Sequence, residues 1–197
     1  MQEFFQILTN VEFNWSIVES IAVFFSVLYV VLAARESIWC WGAACISVSI
    51  YIYICYTAKL YPETGLQIFY LLMAGAGYYM WNKENKEEIK EWNELKHLGI
   101  ILLGAILTFF MGFYFSIYTD SVMPITDSFT TIFSLIATYM VVKKVLGNWL
   151  YWIIIDLVSV YLYFNRDLHL TSLLFVTYTI IAVFGYFSWI NRMKING

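Results

Sequence analysis

The chain has 197 residues, of which 61% are apolar, 20% aromatic and only 13% charged, with a mean hydropathy of +0.71. Soluble domains carry about 25% charged residues, so this balance excludes an ordinary water-soluble globule and points to an integral membrane protein. A formal net charge of −3 argues against a nucleic-acid partner.

Residues 1–13 read as a short interfacial or disordered lead-in without the basic n-region of a cleavable signal. Seven apolar spans follow, at about Trp15–Ala34, Ile38–Tyr56, Pro62–Trp81, Leu98–Tyr118, Pro124–Val142, Asn148–Phe164 and His169–Ile190. Glu19 falls in the first turn of the first span, where a carboxylate complements the helix dipole. Cys40, Cys45 and Cys55 share the second span; they are odd in number, lack zinc-type spacing and read as small apolar packing residues. The third span opens at Pro62, whose missing N–H costs nothing in a first turn. It places Gln67, Tyr70, Ala74 and Tyr78 near one face. An amide there can read a carboxamide or a ribose hydroxyl, or bond a neighbouring helix. The charged linker Lys83–Glu91 reads as solvated, and Asp127 reads as an N-cap of the fifth span.

The sixth span carries the most unusual pattern. Asn148, Trp152 and Asp156 recur every four residues and stack along one helix face, with Ser159 and Tyr163 beyond them. A carboxylate at the centre of a membrane helix costs roughly 2.5–3.5 kcal/mol on insertion scales, so Asp156 must face a cavity or a partner helix. Trp149 and Trp152 both offer a face for an aromatic ligand, and Trp149, nearer the span's end, equally suits an interfacial anchor. Trp81 and Trp189 close their spans and read as interfacial belt residues. His97 and His169 sit at span ends without ligand partners at helical spacing, so neither a metal site nor a cofactor is expected. The chain has no Ser/His/Asp set, paired carboxylates or phosphate-binding glycine loop that would equip a membrane-embedded enzyme.

Basic residues set the expected orientation. With the N-terminus outside, Arg35, Lys83, Lys86, Lys90, Lys96, Lys143, Lys144, Arg192 and Lys194 all lie inside, and only Lys59 and Arg166 lie outside. An internal repeat is also visible. Ser49-Ile50-Tyr51-Ile52-Tyr53 echoes Ser159-Val160-Tyr161-Leu162-Tyr163 at an offset of 110, and Gly77-Tyr78-Tyr79-Met80-Trp81 echoes Gly185-Tyr186-Phe187-Ser188-Trp189 at 108. The predicted fold is an all-α integral membrane protein of seven transmembrane helices in parallel 3+1+3 repeats. Residues 15–81 form the first triple-helix repeat, 98–118 the linker helix and 124–190 the second repeat, within one transporter domain over 1–197. At the 110 offset Asn148, Trp152 and Asp156 correspond to Ile38, Gly42 and Ile46, and Gly42 would leave room opposite Trp152.

These residues resemble those of the PnuC family of bacterial vitamin transporters. The resemblance spans nearly the whole chain through Leu60-Tyr61, Leu66-Gln67, Phe69-Tyr70, Gly77-Tyr78 with Trp81, Asp127-Ser128, Ser134, Ala137, Lys143-Lys144 and Asn148-Trp149 with Trp152. It implies a SWEET-like fold in the bacterial inner membrane and facilitated diffusion of nicotinamide riboside, with a cytoplasmic kinase trapping the imported nucleoside. It also implies substrate contacts from Gln67, Tyr70, Asn148, Trp152 and Asp156, to which the aromatic reading adds Trp149. Two departures bear on the vitamin: Ala76 stands where the family usually has Tyr, and the position of Asp156 is Asn in some relatives. Thiamin and riboflavin are the alternative substrates within the family; a membrane-embedded enzyme is the alternative from another class, and a homo-oligomer is left open.

The charge bias yields a direct test of topology. In a Glu88→Cys variant, a membrane-impermeant thiol reagent added outside intact cells should fail to label the linker, and ready labelling would reverse the orientation.

Overall fold

The computed structural model describes residues 16–82 and 88–196. Among them lie seven helices: α1 Ile17–Ala34, α2 Trp39–Thr57, α3 Tyr61–Trp81, α4 Glu94–Tyr118, α5 Pro124–Val142, α6 Asn148–Phe164 and α7 His169–Asn196. The N-terminal lead-in and residues Lys83–Glu87 of the charged linker lie outside the described residues. Helix ends agree with the sequence spans to within two residues, except that α4 starts four residues before Leu98 and α7 runs six past Ile190. Five of the seven helices are long and apolar enough to cross a membrane. The other two are α6, with 17 residues, and α3, which is diluted by Glu63, Thr64, Gln67 and its glycines.

The local signals explain where helices start. Ser16 and Glu19 form a reciprocal capping box on α1, the Glu19 carboxylate accepting from the Ser16 N–H at 2.7 Å. Asn93 caps α4 by accepting from the Lys96 N–H. Asp127 is not the cap of α5, which is preceded by Met123. Its carboxylate instead accepts from Ser121 and pairs with Arg166 at 2.7 Å, tying α5 to the α6–α7 turn. Nor is the charged linker wholly solvated: Ile89 is buried, and Lys90 bridges the α5–α6 turn, donating to Lys144 O and accepting from the Leu146 N–H.

Helix ends inside each triplet follow one device. Glu36, Lys59, Lys144 and Asp167 adopt left-handed backbone at φ of 54°, 59°, 49° and 58°. In each case the next residue bonds back to the final turn, as Ser37 N–H does to Leu32 O and Val145 N–H to Met140 O. This is a Schellman reversal made without the usual glycine.

Packing closes the helices into a ring. α1 packs on α2, α2 on α3, α3 on α5, α5 on α6, α6 on α7, and α7 back on α1; α4 packs along α5, and His97 at its start reaches Tyr151 on α6. Exchanging each ring helix with the one four places along the chain maps this set of ring contacts onto itself. The landmarks repeat at a constant spacing. Glu36 and Lys144 are 108 residues apart, and so are the left-handed pair Lys59 and Asp167, the indoles Trp41 and Trp149, Gly77 and Gly185, and Trp81 and Trp189. The exposed faces agree: Ile46 and Tyr53 on α2 match Ile154 and Tyr161 on α6. The 110 offset is therefore a two-residue slip. Two residues turn a helix by about 200°, so that alignment sets the lipid face of α2 against the interior face of α6. Gly42 lies on the exposed stripe with Ile46 and Tyr53, and a Cβ added to it would have nothing within 4 Å, so it does not face Trp152. At 108, Asn148, Trp152 and Asp156 stand opposite Cys40, Ala44 and Val48.

The outer surface is apolar, as bilayer contact demands: α4 exposes Leu102, Phe110 and Phe113, among others. The firmest packing lies at the end where α1, α3 and α5 finish. Trp41 and Trp81 meet edge-on at 5.2 Å, Trp149 and Trp189 likewise at 5.5 Å, and Trp81 and Trp189 face each other at 6.2 Å. Trp81 is 5% and Trp189 0% exposed, so neither is a belt residue. Their indole N–H groups donate to Val142 O at 3.1 Å and to Ala33 O at 3.0 Å, each tie crossing from one half of the ring to the other.

Gly77 admits this packing because a Cβ there would overlap the Trp41 indole, whereas Gly75 has open space around it. Gly77→Ala should therefore destabilise the detergent-solubilised protein by about 1–3 kcal/mol, the usual cost of overpacking. Gly75→Ala should be neutral or stabilising by up to about 1 kcal/mol, which thermal unfolding of the two variants measures.

Candidate functional site

Five residues mark the lipid side of α6: Leu150, Ile154, Leu157, Tyr161 and Phe164 are all exposed. The opposite face therefore points into the ring, and it carries Asn148, Trp152, Asp156, Ser159 and Tyr163. Asp156 is 3% exposed and makes no hydrogen bond or ion pair among the described residues. A buried carboxylate without a partner is costly, so this position is set up to receive donors or positive charge from a molecule inside the ring.

Two phenols flank it from opposite halves. Tyr70 on α3 lies beside Ser134 on α5 and neighbours Asp156 and Tyr163. Tyr178 on α7 hydrogen-bonds Ser26 on α1 at 2.5 Å and neighbours Asp156 and Tyr51. Ser26 and Ser134 are 108 residues apart, as are Tyr70 and Tyr178, so each pair is the other's counterpart. Every ring helix thus sends one side chain to the same interior: Ser26, Tyr51, Tyr70, Ser134, Asp156 and Tyr178.

The halves differ beside this shared frame. Trp152 stands where the first half has Ala44, Asp156 where it has Val48, and Gln67 where the second half has Phe175, which stacks on Tyr163 at 5.2 Å and 9°. Trp152 is half-buried and packs against both apolar clusters of the core. Gln67 is half-buried one turn before Tyr70, with no side-chain hydrogen bond among the described residues.

The sequence-derived candidates thus divide. Gln67, Tyr70, Trp152 and Asp156 gather around the interior. Asn148 is fully buried at the start of α6, donating to Val145 O at 2.7 Å with its Oδ1 unpartnered. Trp149 is turned out of the stripe into the tryptophan cluster, where a Cβ on Gly185 would lie 2.7 Å from its ring. It is 2% exposed, so it neither anchors at an interface nor presents a face to the interior. Tyr178, Ser26 and Tyr51 escape the sequence reading; the repeat at its true offset of 108 maps Tyr70 onto Tyr178 and would have found it. His97 makes structural contacts instead, with Glu91 at 2.9 Å and the Tyr151 hydroxyl at 3.1 Å. Among the described residues no three His, Cys, Asp or Glu side chains cluster in a metal-binding group. The interior can bind and orient a small polar aromatic molecule.

Known proteins agree with this geometry. The profile of a family described as "Nicotinamide mononucleotide transporter" matches residues 16–191. The nicotinamide riboside transporter PnuC of Escherichia coli (strain K12) is 24% identical over 214 residues, covering 94% of this chain and 90% of the relative. The protein of the same name from Neisseria mucosa is 27% identical over 190 residues, covering 89% and 72%. The crystal structure of the vitamin B3 transporter PnuC has the same fold, with a TM-score of 0.75 at 23% identity over 98% of this chain and 89% of that one. A ring of apolar helices around a polar interior, matched by that profile across nearly its whole length, belongs to the nicotinamide mononucleotide transporter family of multi-pass membrane transporters.

Proposed function

We propose that this transporter carries nicotinamide riboside by facilitated diffusion. The observation that carries the reading is Asp156, buried and unpartnered on the inward face one helical turn from Trp152. A pyridinium ring stacked on an indole gains about 2 kcal/mol or more when desolvated, and Asp156 offsets the cation or accepts from the ribose. Gln67, across the interior on α3, suits a carboxamide because it both donates and accepts. Asn148 lies one turn below Trp152 and lines the way toward the tryptophan cluster.

The same chemistry separates the riboside from its phosphate. At the two ends of the ring Lys144 pairs with Glu36, and Arg166 with Asp127, so neither cation is free to meet a phosphate. An interior that offers acceptors and a lone carboxylate disfavours a phosphate dianion, so the nucleoside, not the mononucleotide, is the cargo. Transport then runs downhill, and a cytoplasmic kinase that phosphorylates the product keeps it inside. In this reading residues 15–81 and 124–190 are two parallel repeats, joined by α4, that rock against each other about the interior. The N-terminus lies outside and the C-terminus in the cytoplasm of the inner membrane.

Binding to the purified protein tests the reading. Nicotinamide riboside should bind in preference to its 5′-phosphate, thiamin and riboflavin. Trp152→Ala should remove about 1–3 kcal/mol, by analogy with base–aromatic stacking, or roughly one to two decades in Kd. Trp152→Phe should recover part of this. Asp156→Asn should weaken cationic vitamins more than riboflavin if Asp156 balances charge. Tighter binding of the phosphate than of the nucleoside would overturn the proposal.

A further inference from the structure

We propose that Tyr178, aimed by Ser26, is a substrate-contacting residue that accepts a hydrogen bond from a ligand hydroxyl beside Asp156. The direction of the hydrogen bonds carries this. Ser26 spends its only proton on Val23 O, at 2.8 Å, so toward Tyr178 its Oγ can only accept. The phenol therefore donates to Ser26, at 2.5 Å, and its own oxygen is left with lone pairs and no proton to give. Tyr51 and Asp156 are its other polar neighbours in the interior, and the Asp156 carboxylate, when ionised, is likewise an acceptor. Two acceptors on adjacent helices of the second half, α6 and α7, make a site that selects ligand O–H donors. Trp152 lies one turn along α6 from Asp156, about 6 Å on the helix rise, so a ring stacked there places a sugar at Asp156 and Tyr178. A vicinal diol supplies two such donors. This inference rests on the reading of the interior as a nucleoside site and names the residue that recognises the sugar.

The closing experiment compares each hydroxylated ligand with a partner that lacks the hydroxyls. Tyr178→Phe should weaken nicotinamide riboside about three- to tenfold, the range of one neutral hydrogen bond. Its 2′,3′-dideoxy analogue, already weaker with the unmodified protein, should bind the variant unchanged. Ser26→Ala frees the phenol to rotate and should give a smaller loss with the same selectivity. Equal weakening of both ligands would mean that Tyr178 acts through packing, and unchanged riboside affinity would mean no contact; either overturns the proposal. Should the unmodified protein not bind the riboside, the nucleoside reading fails on its own. Riboflavin against lumiflavin, which lacks the ribityl chain, then makes the same comparison, and failure of that selectivity as well would overturn the role of Tyr178.

The interior also has a closed gate at the tryptophan end, we infer, formed by Glu36 and Lys144. Positions exchanged by a twofold relation can touch one another only beside its axis. Glu36 and Lys144 are such a pair and meet at 2.6 Å; Trp81 and Trp189 are another and lie ring to ring at 6.2 Å. Both layers therefore sit across the path along the axis, each with one member from α1–α3 and one from the second half. Lys144 is 4% exposed, with its Nζ 5.0 Å from the Trp81 ring, and Arg192 adds a weaker contact to Glu36 at 3.7 Å. A dry ion pair attracts strongly and a wet one weakly. Water entering as the halves part loosens the pair, and water leaving restores it.

Cys40 is a built-in reporter, 0% exposed and close enough to Lys144 to feel its charge. In a Cys45→Ala/Cys55→Ala background in detergent, Lys144→Glu should raise the labelling rate of Cys40 by a water-soluble maleimide at least fivefold. Lys144→Met, which keeps the apolar stem, should raise it less. Glu36→Lys/Lys144→Glu should return most of the protection, the remainder reflecting Arg192. Unchanged labelling in a monodisperse, helical Lys144→Met protein would overturn the gate, as would a double variant that labels as fast as Lys144→Glu.

Discussion

Two indole N–H groups reach across the ring, and the rest of the architecture depends on where they land. Trp81 donates to the last residue of α5 and Trp189 to the penultimate residue of α1. Carbonyls in a helix's final turn have no partner within the helix, and a surrounding bilayer offers no water to replace one. The Trp81 bond therefore satisfies a carbonyl with no backbone donor among the described residues, the Trp189 bond adds a second donor to Ala33 O beside the Glu36 N–H, and both join the two triplets. The indoles reach these carbonyls because Trp41 and Trp149 stand behind them, seated on Gly77 and Gly185. One end of the ring is thereby drawn shut, and the wider interior lies beyond it.

Within that frame, symmetry builds the enclosure and its failure makes it selective. The two serine–tyrosine pairs, exchanged by the repeat, stand where the halves meet, α1 against α7 and α3 against α5. Three of the positions where the halves disagree bring an indole, a carboxylate and an amide into the interior. A molecule with a flat cationic end and a hydroxylated end is as unsymmetrical as those residues are.

Much of this is legible in the sequence, because the bilayer imposes few and strong rules. Span positions follow from length and apolarity, the acidic first turn of α1 from Glu19, and the inward stripe of α6 from the four-residue spacing of Asn148, Trp152 and Asp156. The failures share a cause: tertiary context overrides a local cue. Tryptophan at a span's end ordinarily marks an interface, but Trp81 and Trp189 find carbonyls and each other. Asp127 resembles a cap because its partner Arg166 lies 39 residues away. The glycine-free reversals at Glu36 and Lys144 carry no turn signature at all. The repeat is visible in the letters but misaligned by them, because Ser-Ile-Tyr-Ile-Tyr and Ser-Val-Tyr-Leu-Tyr alternate with a period of two that has no meaning on a helix. Matching the exposed faces resolves what matching letters cannot.

One helix lines nothing. α4 packs along α5, apart from the His97 contact with Tyr151 on α6, and turns apolar side chains outward along most of its 25 residues. Its contribution is one of parity. Three crossings leave a chain on the far side of the bilayer, so a second set of three following directly would enter inverted, and the two sets could be related only by an axis lying in the membrane plane. A fourth crossing brings the chain back to its starting side. It lets α5 enter in the same sense as α1, and it stands the axis upright, along the direction in which cargo travels.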